Sequence, residues 1–181
     1  QHLSFLHRML DDGDRREVVE GARDTANSFF GADVTPRVEV EETDFGLRIF
    51  SVRADSPDTD YVRISNFIYP NLAAFPGRNP SGYGVNWHVP IDDTHHWKFA
   101  WNFDRVTPIA AEVFSAQWLT EVVDYRHTRG SHNRYLQNRE EMKAGTFIGL
   151  GRNFQLHDNW ATVGEGPIQD RTAEHLGYTD K

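Results

Sequence analysis

Apolar and polar residues alternate with a period of two through the middle of the chain. The alternation starts near Val34, runs through Val38 and Val40, and continues to Ile68. Because successive side chains of a strand point to opposite faces of a sheet, this pattern predicts several strands of an antiparallel sheet. The central part of the chain is therefore predicted to be a β-sheet.

The strongest hairpin signal lies between residues 85 and 103. Before the turn, Val85, Trp87, Val89 and Ile91 face one way, and four aromatic residues share a face of the next strand: Trp97, Phe99, Trp101 and Phe103. These residues predict an aromatic wall on one side of the sheet. The two Asp and two His residues between the strands resemble a metal cluster in composition, but polar residues are usual in tight turns, and we interpret them as a turn.

Both ends of the chain have helical patterns instead. Leu3, Leu6 and Leu10 are spaced as on a helix, and residues 154–177 begin with a helical pattern that breaks at Gly166 and Pro167. Strands in the middle and helices at the ends predict an α+β fold in which the antiparallel sheet wraps around a long C-terminal helix. The length, 181 residues, predicts a single domain over residues 1–181.

Composition excludes several classes of function. The net charge of −8 argues against nucleic acid as a partner, and no apolar run approaches the roughly 20 residues that span a membrane. The chain has no cysteine, which excludes disulfides and thiolate metal sites within it and suits a reducing, cytoplasmic location. It opens at Gln1 with a helical pattern already under way, so we expect it to be a segment of a longer protein.

Candidate metal ligands lie at opposite ends of the chain. We predict that Asp158 returns to His2 and His7 to hold one metal ion. Two imidazoles and one carboxylate on one face of an ion leave other positions open, as in non-haem Fe(II) enzymes that activate O₂. His2 and His7 are five residues apart, about 140° around an ideal helix, so the helix must be distorted or end between them. From spacing alone, two such histidines are more often ordinary surface or core residues. A metal-free ligand carrier and a hydrolytic zinc enzyme are the alternative functions.

Several segments resemble the Rieske non-haem iron aromatic-ring-hydroxylating oxygenases, particularly large subunits similar to phthalate dioxygenase. HLSFLHR resembles their DxxHxxFLH iron-binding motif, and VPIDDTHHWKFAW, YRHTRGSHNRYLQNREEMKAGTFIGLG and GPIQDRTAEHLGYTD follow in the family's order. The closing pattern GPIxDRTxEHLGxxD is the most specific of these. Together they cover most of the chain.

This resemblance implies a helix-grip catalytic domain with His2, His7 and Asp158 as the iron-binding triad. Mononuclear Fe(II) would bind O₂ beside an aromatic substrate, and a 2Fe-2S Rieske cluster would supply electrons from NAD(P)H through a reductase or ferredoxin. The reactions implied range from dihydroxylation to monooxygenation and O-demethylation, and the implied assembly is a homotrimer. The alternative is a helix-grip carrier that binds a hydrophobic ligand without metal.

The chain departs from the family pattern in two places. Family members commonly have Gln-Asp where this chain has His157-Asp158, and Glu-Ser-Met where it has residues 163–165. The hydrogen bonding around the ligand is therefore expected to differ, and Glu165 is either a base near the ligand or, more commonly at such positions, a surface carboxylate. Because a Rieske cluster needs two cysteines, its domain is expected upstream of Gln1.

Four residues are predicted to line the substrate pocket. Strand parity is the reason for the choice within the sheet, and the last residue follows the candidate ligand on its helix. The four are Asn66, Trp87, His88 and Trp160.

Overall fold

The computed structural model describes residues 5–10, 35–77, 81–112, 115 and 119–177. The chain divides into two compact units. The first comprises Gln1–Asp24 and Ile109–Gly166, and the second comprises Thr25–Pro108 and Pro167–Lys181.

The second unit is built on a six-stranded antiparallel sheet whose strands lie side by side in chain order. The strands are β1 Arg37–Thr43, β2 Gly46–Ser56, β3 Thr59–Ile68, β4 Leu72–Pro76, β5 Gly82–Pro90 and β6 His96–Asp104. Every connection joins neighbouring antiparallel strands, so the sheet is a simple meander. The alternating segments of the sequence thus form the predicted antiparallel sheet.

The predicted hairpin is confirmed as β5 and β6. Trp87 pairs with Phe99, and Val89 pairs with Trp97, so the aromatic residues of both strands share one face. Polar residues close the turn, where the Asp92 carboxylate accepts a hydrogen bond from the Thr94 amide at 2.8 Å. This bond is the main reason why the pKa of Asp92 falls to about 2. The acidic turn is thus explained by its own hydrogen bonding.

The most deeply buried apolar side chains that the structure describes lie in the first unit. They form one cluster, to which Leu6 and Trp160 add partly buried surface: Tyr135, Ile148, Leu150 and Leu156. By contrast, the rings of Trp97, Phe99 and Trp101 on β6 remain 43% to 47% exposed. The packed core lies beside the candidate ligand Asp158 rather than on the aromatic face of the sheet.

Short elements surround this cluster. They are a two-stranded hairpin of β7 Val122–Val123 and β8 Arg126–His127, a 3₁₀ segment Ser131–Leu136, α1 Glu141–Ala144 and α2 Phe154–Gly164. Asn153 begins α2, since its side chain accepts hydrogen bonds from the amides of Gln155 and Leu156. After α2 the chain turns at Gly166, which has a φ of +93° and precedes Pro167. The break predicted at these two residues is present.

The helix predicted at the start of the chain is not observed in its described part. Residues 5–7 form a turn, and Met9 forms a β-bridge with Thr146. The spacing of the leucines fits a helix, but the backbone of residues 8–10 forms hydrogen bonds with residues 145–147, which are distant in sequence. Of the helices in the part of the chain that the structure describes, none has the length and apolar character needed to cross a membrane.

Candidate metal centre

Two backbone hydrogen bonds attach the N-terminal segment to residues 145–147. The Leu10 amide donates to the Gly145 carbonyl at 2.8 Å, and the Phe147 amide donates to the Arg8 carbonyl at 2.9 Å. From residues 145–147 the chain continues through a short loop into α2. Residues from the two ends of the sequence are thereby brought together through the backbone.

His7 and Asp158 meet in this region. The Nε2 atom of His7 lies 3.0 Å from the Oδ1 atom of Asp158. The His7 side chain is 5% exposed and the Asp158 side chain 33% exposed. The predicted pairing of one imidazole from the start of the chain with this carboxylate is therefore present in the structure.

The third predicted ligand, His2, lies outside the described residues. Within the described residues, no group of three or more His, Asp or Glu side chains is arranged to hold a metal ion. The three-residue site thus stays a prediction, of which the structure describes two members.

One side of α2 faces His7. The Phe154 ring stacks on the His7 imidazole with the ring centroids 3.5 Å apart and the planes 7° apart. One turn later, Nδ1 of His157 lies 3.2 Å from Nδ1 of His7. Residues three and four apart share a side of a helix, so Phe154, His157 and Asp158 all reach the same imidazole. The orientation of His7 is therefore fixed from several directions.

His157 is completely buried, with 0% of its surface exposed. Its Nε2 atom lies 2.8 Å from the Gly151 carbonyl oxygen. Burial lowers the pKa of His157, and the nearby His7 lowers it further, while the hydrogen bond to Gly151 acts in the opposite direction. A buried imidazole with a lowered pKa favours the neutral form.

Comparison with known proteins identifies the family of the chain. A family model described as LigXa C-terminal domain like matches residues 2–181. The chain belongs to this family. It is 36% identical over 174 residues to the phthalate 4,5-dioxygenase oxygenase subunit of Pseudomonas putida, covering 90% of this chain and 39% of that protein. It is also 32% identical over 69 residues to the phenoxybenzoate dioxygenase subunit alpha of Ectopseudomonas oleovorans, covering 36% of this chain and 17% of that protein.

Membership of the LigXa C-terminal domain-like family confirms the resemblance to Rieske oxygenase catalytic domains. The α+β helix-grip fold predicted with it is confirmed as well, since the structure is mostly antiparallel sheet with few helices. The chain spans about two fifths of the length of the phthalate relative.

The predicted pocket residues of this family member fall in both units. On the sheet, Asn66 and Trp87 share a face, because pairing partners across β3, β4 and β5 keep the same parity, and His88 points to the opposite face. His88 instead lies against His96, with Nδ1 of His88 2.9 Å from Nε2 of His96. In the first unit, Trp160 packs against the apolar cluster. The pocket itself stays a prediction.

Sequence reasoning missed three residues that support His7. His157 was noticed only as a departure from the family pattern, and Phe154 and Glu141 were not singled out. The signal for Phe154 is its spacing, three residues before His157 and four before Asp158, which places it near both on the helix surface. Nothing local in the sequence indicates that Glu141 contacts the loop leading to α2. Glu165, in contrast, is exposed at the end of α2, as expected of a surface carboxylate.

Proposed function

We propose that this chain is the mononuclear-iron catalytic domain of the terminal oxygenase component of a Rieske-type aromatic-ring-hydroxylating oxygenase. Its catalytic metal ligands would be His2, His7 and Asp158. The observation that carries the proposal is the 3.0 Å separation between Nε2 of His7 and Oδ1 of Asp158, which are 151 residues apart.

The two described residues fit a metal ion in both distance and chemistry. Adjacent ligands of an octahedral ion bound at about 2.1 Å lie about 3 Å apart. One imidazole nitrogen and one carboxylate oxygen, completed by a second imidazole, form the donor set of non-haem Fe(II) oxygenases. The set leaves coordination positions open, whereas a structural zinc site is closed by four protein ligands.

Fe(II) bound by this triad would supply the activation of O₂, with electrons from a 2Fe-2S Rieske cluster that a reductase or ferredoxin recharges from NAD(P)H. The chain's own residues hold and shield the site. Phe154 covers one face of the His7 ring, which excludes water from that face. Asp158 keeps a third of its side chain exposed, so the site is open on one side. Because the chain has no cysteine, the cysteine ligands of the cluster would come from elsewhere.

The proposed substrate is an aromatic compound, which is dihydroxylated, hydroxylated or O-demethylated. The names of the two relatives, a phthalate and a phenoxybenzoate dioxygenase subunit, support this class. Asn66, Trp87, His88 and Trp160 are the proposed pocket residues, and Asn66 and Trp87 are the pair that share the aromatic face of the sheet. A homotrimer in the cytoplasm is the proposed assembly.

Iron content after anaerobic purification tests the proposal. We expect the native chain to hold about one Fe(II), and Asp158→Ala to lose it, because a site with two remaining ligands binds an ion weakly. Glu165→Ala is the matched control, since it removes an exposed carboxylate at the end of the same helix. This variant should keep its iron.

Circular dichroism of each variant shows whether it is folded. A folded native chain without affinity for iron, or an Asp158→Ala variant that keeps it, would contradict the proposal. That result would support the metal-free carrier of a hydrophobic ligand. Zinc in place of iron in the native chain would support a hydrolytic enzyme.

A further inference from the structure

The His7 imidazole is linked to a backbone carbonyl through a second imidazole. Nδ1 of His7 lies 3.2 Å from Nδ1 of His157, and Nε2 of His157 lies 2.8 Å from the Gly151 oxygen. These atoms form a line of hydrogen-bonding groups that ends at the ligand nitrogen of His7. The direction of each bond follows from which groups carry protons.

The Gly151 carbonyl fixes the first direction. A carbonyl oxygen can only accept, so Nε2–H of His157 is the donor. A second proton on His157 would place a full charge on a side chain with no exposed surface, which is unfavourable. Nδ1 of His157 is then the acceptor, and Nδ1–H of His7 is the donor.

This direction decides what His7 presents to Asp158. With its proton on Nδ1, neutral His7 has a lone pair on Nε2, and that lone pair faces the Asp158 carboxylate oxygen at 3.0 Å. Two electron-rich atoms at that distance require a cation at the same place, either a proton or a metal ion. The tautomer needed for metal binding through Nε2 is thus the one that His157 selects.

The far end of the line is anchored as well. The Gly151 amide donates to Oε1 of Glu141 at 2.9 Å, and the Thr146 hydroxyl donates to the same oxygen at 2.6 Å. Gly151 has a φ of +73°, so its peptide keeps a conformation that few other residues adopt. The Gly151 carbonyl, which accepts the hydrogen bond from Nε2–H of His157, is therefore held in place by its own neighbours.

We propose that His157 is a positioning residue for the metal ligand His7, holding the proton on Nδ1 and directing Nε2 toward the ion. The inference rests on the proposed iron site. A Gln amide could perform the same task, because its oxygen accepts from Nδ1–H of His7 while its NH₂ group donates to Gly151.

Two substitutions in the full chain test the role. His157→Leu keeps much of the side-chain volume without an acceptor, and His157→Gln restores one. We expect His157→Leu to weaken Fe(II) binding by about 10- to 100-fold in an anaerobic titration, as for other groups that orient a ligand. His157→Gln should stay within about threefold of the native chain. The melting temperature of each metal-free variant shows how much of the change is structural.

Nuclear magnetic resonance gives a readout that packing alone would not produce. Two-bond ¹H–¹⁵N spectra of the Zn(II)-loaded native chain should place the proton of His7 on Nδ1 and that of His157 on Nε2. The His157 result is also expected in the metal-free chain, so it is measurable if His157→Leu fails to fold. A proton on Nδ1 of His157 would overturn the inference, as would equal Fe(II) affinity in His157→Leu and the native chain.

These outcomes are separate from those of the function proposal. A native chain that binds no metal, but in which His157 carries its proton on Nε2, removes the iron site and leaves the proton assignment of His157 intact. A native chain that binds Fe(II) with an affinity unaffected by His157→Leu removes the positioning role alone.

Discussion

Removing the carboxylate of Glu141 is predicted to destabilise the loop that leads to α2. Its Oε1 atom accepts hydrogen bonds from the Thr146 hydroxyl at 2.6 Å and from the Gly151 amide at 2.9 Å. Thr146 is 1% exposed, so its hydroxyl would lose an acceptor in a place that water hardly reaches. Hydrogen bonds to a charged group contribute about 1.5 to 3 kcal/mol each. Because Glu141 is itself only half-buried, we take the lower limit of about 1.5 kcal/mol for each of the two hydrogen bonds. We therefore expect the free energy of unfolding to fall by about 3 kcal/mol.

Urea denaturation of three variants checks this magnitude. Glu141→Ala should lose about 3 kcal/mol, and Glu141→Gln about 1 kcal/mol, because the amide keeps an oxygen for both donors. Glu140→Ala is the matched control: its carboxylate is exposed and contacts only the exposed Lys143 among the contacts described, at 2.7 Å. Surface ion pairs of this kind contribute at most about 1 kcal/mol. Equal losses in Glu141→Ala and Glu140→Ala would refute the reasoning.

Three further outcomes are expected. Leu156→Ala, at a fully buried position of the apolar cluster, should lower the free energy of unfolding by about 2 to 5 kcal/mol in urea denaturation. Burial, and then the positive charge of His96, lower the pKa of His88. The free energy of unfolding should therefore fall as the pH drops below about 6.5, because the unfolded chain takes up the proton more readily than the folded chain. The His88 pKa, measured by magnetic resonance, should rise in His96→Gln. Gly149→Ala should be more destabilising in thermal melts than Gly151→Ala, because both residues have positive φ but only at Gly149 would the added Cβ strike a backbone carbonyl.

The sheet could be predicted from the sequence because its information is local. A period of two assigns each residue to a face, and the polar residues between β5 and β6 specify the turn. The helix predicted at residues 1–10 had a local pattern too, yet the described part of it forms a turn and a bridge. There the deciding interactions are hydrogen bonds to residues 145–147, which no local pattern records.

The candidate site divides in the same way. His7 and Asp158 were predicted together because the resemblance supplied a contact that spacing could not. The contacts of His7 with Phe154 and His157 follow from packing α2 against the N-terminal segment, so helical spacing marks only which residues share a side. The bond from the Gly151 amide to Glu141 joins the loop before α2 to α1 and has no sequence signal.

The attachments that hold His7 in place do not depend on the proposed ion. Backbone bonds fix the segment that carries His7, Phe154 fixes the plane of its ring, and His157 fixes the rotation of the ring within that plane. None of these contacts involves the atoms that would hold a metal. The same contacts hold Nε2 3.0 Å from the carboxylate oxygen of Asp158, and with the proposed proton on Nδ1 of His7 these two atoms require a cation between them. With the proposed ligands, the fold would position the two atoms for the cation, whereas in a zinc finger the cation brings about the fold.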